Sequence, residues 1–290
     1  STTCVCVGVK MSSYGNQWFA AGASGGWSGI QAIARFDNSS TSELTRDQVT
    51  ASNQDKWTYS WWVKRGSTNT SGENNMLAGG YPNQGHNQDH IFFMRADGTL
   101  RWEAQDYNGN LGSDNSNTSY SVYTQSTYSS TTAWYHAVLQ YDSTQSTSSN
   151  RIKWYVGGTQ QSVSTRYSGY PGQNRTPPMN AGVVSGTAYK IHVGHQGPYA
   201  NNFEGRLGEV IFIDGSIYAP SQFAHDVGGT WTAKNPDAEN ITWGTNGHWL
   251  QFLEADNLGK DTSGNDNNFT VSNMGTDHKE TSNLPPTDSS

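Results

Sequence analysis

Charge is scarce in this chain of 290 residues: Asp, Glu, Lys and Arg together make up 14% of it. Its 17 basic side chains are scattered among 24 acidic ones, for a formal net charge of −7. Phosphate backbones require clustered cations, so nucleic acid is excluded as a partner. Long apolar runs are missing too, and without 18 consecutive apolar residues no membrane-spanning helix is expected. The opening residues STTCVCVGVKMSS lack a basic start followed by an apolar stretch, so no signal peptide is visible. Cysteine is limited to Cys4 and Cys6. Alternate strand positions share a face but diverge too far for easy bridging, which leaves two free thiols and no disulfide framework. A lone CxC without a second Cys or His pair is a weak metal signal.

Hydrophobic residues reach only 33%, but 11 Trp, 15 Tyr and 9 Phe are among them. Each ring can bury roughly 150–250 Å², so aromatics supply the core area that aliphatics do not. With 32 Gly, and Ser, Thr and Asn crowding the intervals between apolar runs, the pattern is one of many short strands joined by polar turns. Ala, Leu, Glu and Lys never gather at helical spacing.

Residues 1–29 form a distinct opening segment, an attachment arm or an edge strand. Strand signals then recur: IQAIARFD, KWTYSWWVKR, HIFFMR, TLRWEAQ, WYHAVLQYD, RIKWYVGG, KIHVGHQ, GRLGEVIFIDG, HWLQFLEA and NNFTVSNM. In KWTYSWWVKR, Trp57, Tyr59, Trp61 and Val63 share one face. Val210 and Phe212 oppose Ile211 and Ile213, so GRLGEVIFIDG is apolar on both faces and should be a central strand. Gly157 and Gly158 close a turn that a side chain would obstruct. YAPSQFAHDVG offers a short helix opened by Pro220-Ser221. Ten to fourteen strands in one unit over residues 30–275, followed by an extended tail over 276–290, is the expectation. The fold class is therefore all-β, a two-sheet antiparallel sandwich.

KWTYSWWVKRG, WYHAVLQYDSTQSTSSNRIKWYVGG, FEGRLGEVIFIDGSIYAPSQF and LGKDTSGNDNNFTVSN, in that order, resemble the laminin-G-like, concanavalin-A-type domains of marine bacteriophage tail-fibre and other virion structural proteins. The resemblance covers roughly residues 30–275. It implies a lectin-like jelly roll at the virion surface, assembled in a bacterial cytoplasm and present in many copies. No coiled coil, collagen-like triplet or β-helical shaft accompanies it, which favours a decoration protein, head fibre or short appendage joined to other virion proteins through the N-terminal arm.

The same kind of sandwich carries glycosidases that resemble laminarinases, in which a retaining pair of carboxylates stands about 5–5.5 Å apart. Glu209 and Asp214, five residues apart on one strand, face opposite sides about 17 Å from each other. Glu103 and Asp106 also diverge. Hydrolysis is not expected, and Glu209 reads instead as a strand-end acceptor for loop backbone donors. Asp256, Asp261, Asn265 and Asp266 crowd one loop and could offer oxygens to Ca²⁺; the alternative is an Asx-rich turn without metal, with Gly264 in the left-handed region. His86 and His90 read as loop histidines, because no Glu beside them makes a zinc-protease helix.

Aromatics outside the strand pattern are candidate sugar platforms: Tyr81, Tyr107, Tyr167, Tyr170, Tyr199, Trp231 and Trp243, with Asn108 beside them as a hydroxyl partner. The same residues would serve equally in a protein interface. The chain is thus expected to bind surface polysaccharide without catalysis. The rival expectation is a cement protein that stabilises a capsid lattice.

Overall fold

A computed structural model describes residues 27–37, 41–66, 73–80, 88–94, 97–106, 118–184, 186–195 and 202–288. Of the expected arm, residues 1–26 lie outside them. The described chain is almost entirely β-structure, with four short 3₁₀ turns, and none of its helices is long and apolar enough to cross a membrane.

In chain order the strands are β1 (Ile33–Phe36), β2 (Glu43–Gln48), β3 (Lys56–Arg65), β4 (Glu73–Gly80), β5 (Gln88–Met94), β6 (Leu100–Asp106) and β7 (Thr118–Thr124). They continue as β8 (Tyr135–Asp142), β9 (Ile152–Val156), β10 (Thr159–Gln160), β11 (Val163–Tyr167), β12 (Val183–Val184), β13 (Thr187–Val193) and β14 (Gly205–Asp214). Last come β15 (Ala224–Val227), β16 (Thr230–Ala233), β17 (His248–Leu250), β18 (Thr270–Ser272) and β19 (Lys279–Glu280).

Two antiparallel sheets form a jelly-roll sandwich. One has eight strands in the order β10-β9-β8-β3-β14-β1-β19, with β17 also pairing β14. The other has nine, ordered β11-β7-β6-β5-β4-β13-β2-β18, with β12 beside β13. The strands expected from alternation are present, but β2, β4, β7, β11 and the short β10, β12, β15, β16 and β19 add to them, so the described residues hold nineteen strands rather than ten to fourteen. β2, β4, β7 and β11 are rich in Glu, Asn, Ser, Thr and Arg, so they show little alternation in the sequence.

Aromatic rings fill the space between the sheets. Trp57, Tyr59, Trp61 and Val63 of β3 all point inward and are fully buried, because a two-residue period places every second side chain on one face. Trp57 stacks on Tyr141 with centroids 4.9 Å apart and planes 3° apart, while Trp61 meets Trp154 edge-on at 6.1 Å. The buried pair Arg175–Asp89, 3.5 Å apart, joins this core, its guanidinium lying 5.2 Å from the Tyr120 ring centroid.

The outer face of the eight-stranded sheet is covered as well. Val138, Ile211, Ile213, Phe223 and Trp249 form one cluster there, and Ile30, Ile33, Trp62, Ala224 and Ala233 another. β14 is accordingly central and apolar on both sides. The cover over it comes from the segment expected to be helical: Pro220–Gln222 is a single 3₁₀ turn, and the chain then enters the β15–β16 hairpin. A turn that ends after three residues leaves His225, Asp226 and Val227 free to pair across the hairpin. Residues 276–288 are docked too, through β19 on β1 and through Asp288 N donating to Ala233 O at 2.9 Å.

Deleting one of the inward rings should be among the costliest changes in the chain. Trp57→Ala is expected to lose about 3–5 kcal/mol in urea unfolding followed by circular dichroism; a loss under about 1 kcal/mol would contradict the packing described here.

Candidate functional site

With one sheet covered on both faces, the outer face of the nine-stranded sheet carries the polar surface. One register row crosses it: Thr270, Thr45, His192 and Ala78 on β18, β2, β13 and β4, and, beyond β5, Glu103, Ser121 and Arg166 on β6, β7 and β11. The residues beside them in sequence, Leu44, Val193, Leu77, Ile91, Trp102 and Val122, face the core. Glu103 is buried on this face and accepts from Ser121 Oγ at 2.9 Å. Arg101, next on the same face of β6, bonds Asp97 at 2.9 Å and lies 4.5 Å from the centroid of Tyr123.

At one side of this face lies an open depression of about 310 Å³. Thr45 and Asp47 of β2, Lys190 of β13, and Asp266, Asn267 and Thr270 border it. Lys190 Nζ donates to Asp47 Oδ1 at 2.6 Å on its wall. The loop side is rigidly braced: Asn267 Nδ2 donates to the carbonyls of Thr245 and Gly247, and Asn268 Nδ2 donates to Asp266 Oδ1 at 2.6 Å. Hydroxyl, amide, ammonium and carboxylate groups thus converge on one volume, the composition that hydrogen-bonds a neutral polar ligand. Four residues along β2, Glu43 Oε2 lies 3.4 Å from His192 Nδ1 and 3.2 Å from His195 Nδ1. Burial raises the Glu43 carboxyl, but hydrogen bonds from His192 and His195 and the electrostatic attraction of the same two rings outweigh it and hold it down to about 2.

The candidate residues fall in several places. Tyr81, Tyr107, Asn108 and Tyr199 lie outside the described residues. Tyr167 ends the edge strand β11, 56% exposed, with φ +58° and the Arg166 guanidinium 4.6 Å from its ring centroid. Tyr170 packs against the core. Trp243 stacks on Trp249 at 5.9 Å. Trp231 fastens the β15–β16 hairpin to the sheet: its Nε1 donates to His136 Nδ1 at 2.9 Å, and His136 Nε2 meets Ser60 Oγ at 2.9 Å. Burial drives His136 down to about 3, so the neutral ring accepts from the indole. The Trp231 ring also lies against Gly158, where a Cβ would come within 2.4 Å of it; Gly158 has φ +77° and Gly157 φ +54°.

The Asx-rich loop, which reads in the sequence as a turn that could also offer oxygens to Ca²⁺, forms a hydrogen-bonded turn. Asp261 accepts from the backbone N–H groups of Trp249, Ser263 and Asn267 and from Ser263 Oγ, which occupies both its oxygens. Asn265 Nδ2 donates to the carbonyls of Gly244 and Gly247, Asp256 is exposed, and Gly264 has φ +92° in open space. Asp256, Asp261 and Asp266 do not meet: among the described residues, the group of three such ligands that does is Glu43, His192 and His195. That group was missed in the sequence because Glu43 is remote along the chain. The H-x-x-H spacing in HVGHQ was its local trace.

Glu209 sits within β14 rather than at its end. A bulge between Gly208 and Ile211 gives it φ +48° and turns it outward, where it accepts from Trp249 Nε1. Its partners are the indole and the Gln251 side chain instead of loop backbone groups. Asp214 turns the other way, accepting from Asn180 Nδ2 at 2.9 Å and Asn246 N at 3.0 Å.

No protein-family model matches the chain, and no curated protein matches it. Among solved structures it is similar to a putative carbohydrate binding protein from Bacteroides ovatus, at 16% identity and a TM-score of 0.55. That match covers 89% of this chain and 62% of the other, so the chain spans less than two thirds of that protein. A heptameric SAP-like pentraxin from Limulus polyphemus matches at 12% identity and TM-score 0.44, over 65% of this chain and 78% of that one. Domains LG4-5 of the mouse laminin alpha1 chain match at 11% and 0.43, over 68% and 45%. At such identities the similarity to the Bacteroides protein shows a shared fold, the two-sheet jelly roll.

Burial pushes the Glu209 carboxyl up to about 8 from an ordinary 4.5, against its hydrogen bonds from Trp249 and Gln251. The folded chain therefore holds this proton more tightly than the unfolded one. The stabilisation is complete below about pH 4.5 and is lost as pH rises through about 8. Glu209→Gln, which keeps a neutral acceptor, should flatten the fall in urea-unfolding free energy between about pH 5 and about pH 8.5, by roughly a few kcal/mol. An unchanged slope would show that Glu209 is ionised in the fold.

Proposed function

We propose that this chain is a non-catalytic carbohydrate-binding module displayed at a bacteriophage virion surface, where many copies hold host or environmental polysaccharide. The observation that carries the binding part is the open, polar depression formed by β2, β13 and β18 with the loop before β18. Its groups suit sugar hydroxyls, which need paired donors and acceptors at fixed positions. The acidic residues bordering it are engaged, Asp47 with Lys190 and Asp266 with Asn268, which favours holding a ligand over proton transfer. The jelly roll shared with the putative carbohydrate binding protein of Bacteroides ovatus supports the same reading. The virion setting rests on the resemblance of the four sequence phrases to phage structural proteins, with residues 1–29 as the attachment arm. A shallow, solvent-open site gives modest single-site affinity, and repetition on a particle turns that into avidity.

Full-length protein, monomeric and coupled to beads, should bind at least one acidic or neutral bacterial polysaccharide on a glycan array, the beads more tightly. Lys190→Ala and Asp47→Asn change an exposed pair that contributes little to stability, and each should weaken binding at least tenfold with the fold intact. No binding to any surface polysaccharide would overturn the adhesion reading, and release of reducing ends would overturn the non-catalytic part. Antibody against the chain should decorate intact particles that carry it; label confined to disrupted particles would overturn the surface location.

A further inference from the structure

We propose that Glu43, His192 and His195 form a binding site for a divalent transition-metal ion, zinc foremost, on the outer face of the nine-stranded sheet. Two imidazole nitrogens and one carboxylate oxygen are a borderline donor set, suited to Zn²⁺ and its first-row neighbours rather than to Ca²⁺ or Mg²⁺. The three ligand atoms lie within 4.8 Å of one another.

The distances carry the argument further. Glu43 Oε2 stands 3.4 Å from His192 Nδ1 and 3.2 Å from His195 Nδ1, long hydrogen bonds beside the usual 2.9–3.0 Å. Ligand bonds of about 2.0–2.2 Å arranged as a tetrahedron have edges of roughly 3.3–3.5 Å. The 3.4 Å separation falls within those edges and the 3.2 Å one lies just below them.

The backbone prepares the site. His192 lies on the outer face of β13, and a residue three positions later in a straight strand would point to the core. Gly194 reverses that, with φ +87°, a conformation glycine adopts readily, at a place where Phe36 and Ser42 leave no room for a Cβ. Gly194 N donates to Met76 O at 2.7 Å, and Phe203 N donates to Gly194 O at 2.8 Å, so the reversal is held from both sides. His195 therefore returns to the side of His192, and Glu43 reaches both from the neighbouring β2, where Leu44 pairs with Val193. The histidine side chains are 8% and 10% exposed and Glu43 is 21% exposed, so solvent reaches the group chiefly at the carboxylate. The ion would join β2 to β13 beside the depression.

The test uses untagged full-length protein stripped with a chelator and titrated with ZnCl₂ by calorimetry, then with CoCl₂ by visible absorption. One equivalent per chain is expected, and cobalt should give tetrahedral bands without thiolate charge transfer. His195→Ala should weaken zinc at least a hundredfold, with Glu43→Gln as a second variant should the first fail to fold. Cys4→Ser/Cys6→Ser should leave affinity unchanged. No stoichiometric binding, or zinc lost with the cysteines and kept in the folded histidine or glutamate variants, would overturn the site. Because the readout is metal alone, failure here would leave the polysaccharide reading standing, and failure there would leave this site standing.

Discussion

The structure depends on the row of rings that β3 sends into the sandwich. A chain with so few aliphatic side chains can exclude water from between two sheets only by spacing its largest apolar groups at strand period. Trp57, Tyr59 and Trp61 do so on one strand, and Tyr141, Trp154, Trp102 and Phe212 answer from both sheets. Stacked, tilted and edge-on rings at 4.6–6.5 Å line the inner face of the eight-stranded sheet, and Trp102 meets Tyr141 across the sandwich at 5.8 Å, flat, rigid groups with few alternative packings. Arg175 and Asp89 are tolerated inside because each neutralises the other.

The fixed interior decides where anything else can happen. β14, apolar on its outer side as well, must be covered, and the β15–β16 hairpin and the docked end of the chain supply the cover. The bulge at Gly208–Glu209 places one carboxyl beneath that cover, and burial keeps it protonated near neutral pH. Trp231, tied through neutral His136 to Ser60, anchors the hairpin over the same region. Polar, accessible chemistry is left to the other sheet.

Much of the fold was legible because its strongest signals are periodic. β3 and β8 follow from alternation, β14 from a run that is apolar on both faces, and the turn after β9 from the Gly157–Gly158 pair. β2 was not legible: ELTRDQ has one aliphatic residue, and its inward Arg46 and Gln48 disguise the alternation. The site lies largely on that strand. Aromatics outside strands read as platforms in the sequence, but a half-buried Trp such as Trp231 or Trp243 serves packing in the same sequence context, and local text cannot separate the two roles. The Asx-rich loop was legible as a turn, whereas its contribution of Asn267 and Asp266 to a depression needed the pairing of β18 with β2.

That pairing also explains why the depression and the histidine cluster stand together. Glu43, Thr45 and Asp47 occupy alternate positions on the outer face of β2, and His192 and Lys190 occupy the matching positions of β13. A strand rises about 3.3 Å per residue, so Glu43 and Asp47 are roughly 13 Å apart on a single shared surface. β2 is held by β13 on one side and only the three-residue β18 on the other, and its face carries few apolar contacts. An ion joining Glu43 to His192 and His195 would fix β2 against β13 at one end, as the Lys190–Asp47 pair does at the other. The geometry of a polar site on a lightly packed strand depends on such cross-strand ties, because the core beneath it, dominated by rings on other strands, constrains its depth but not its register.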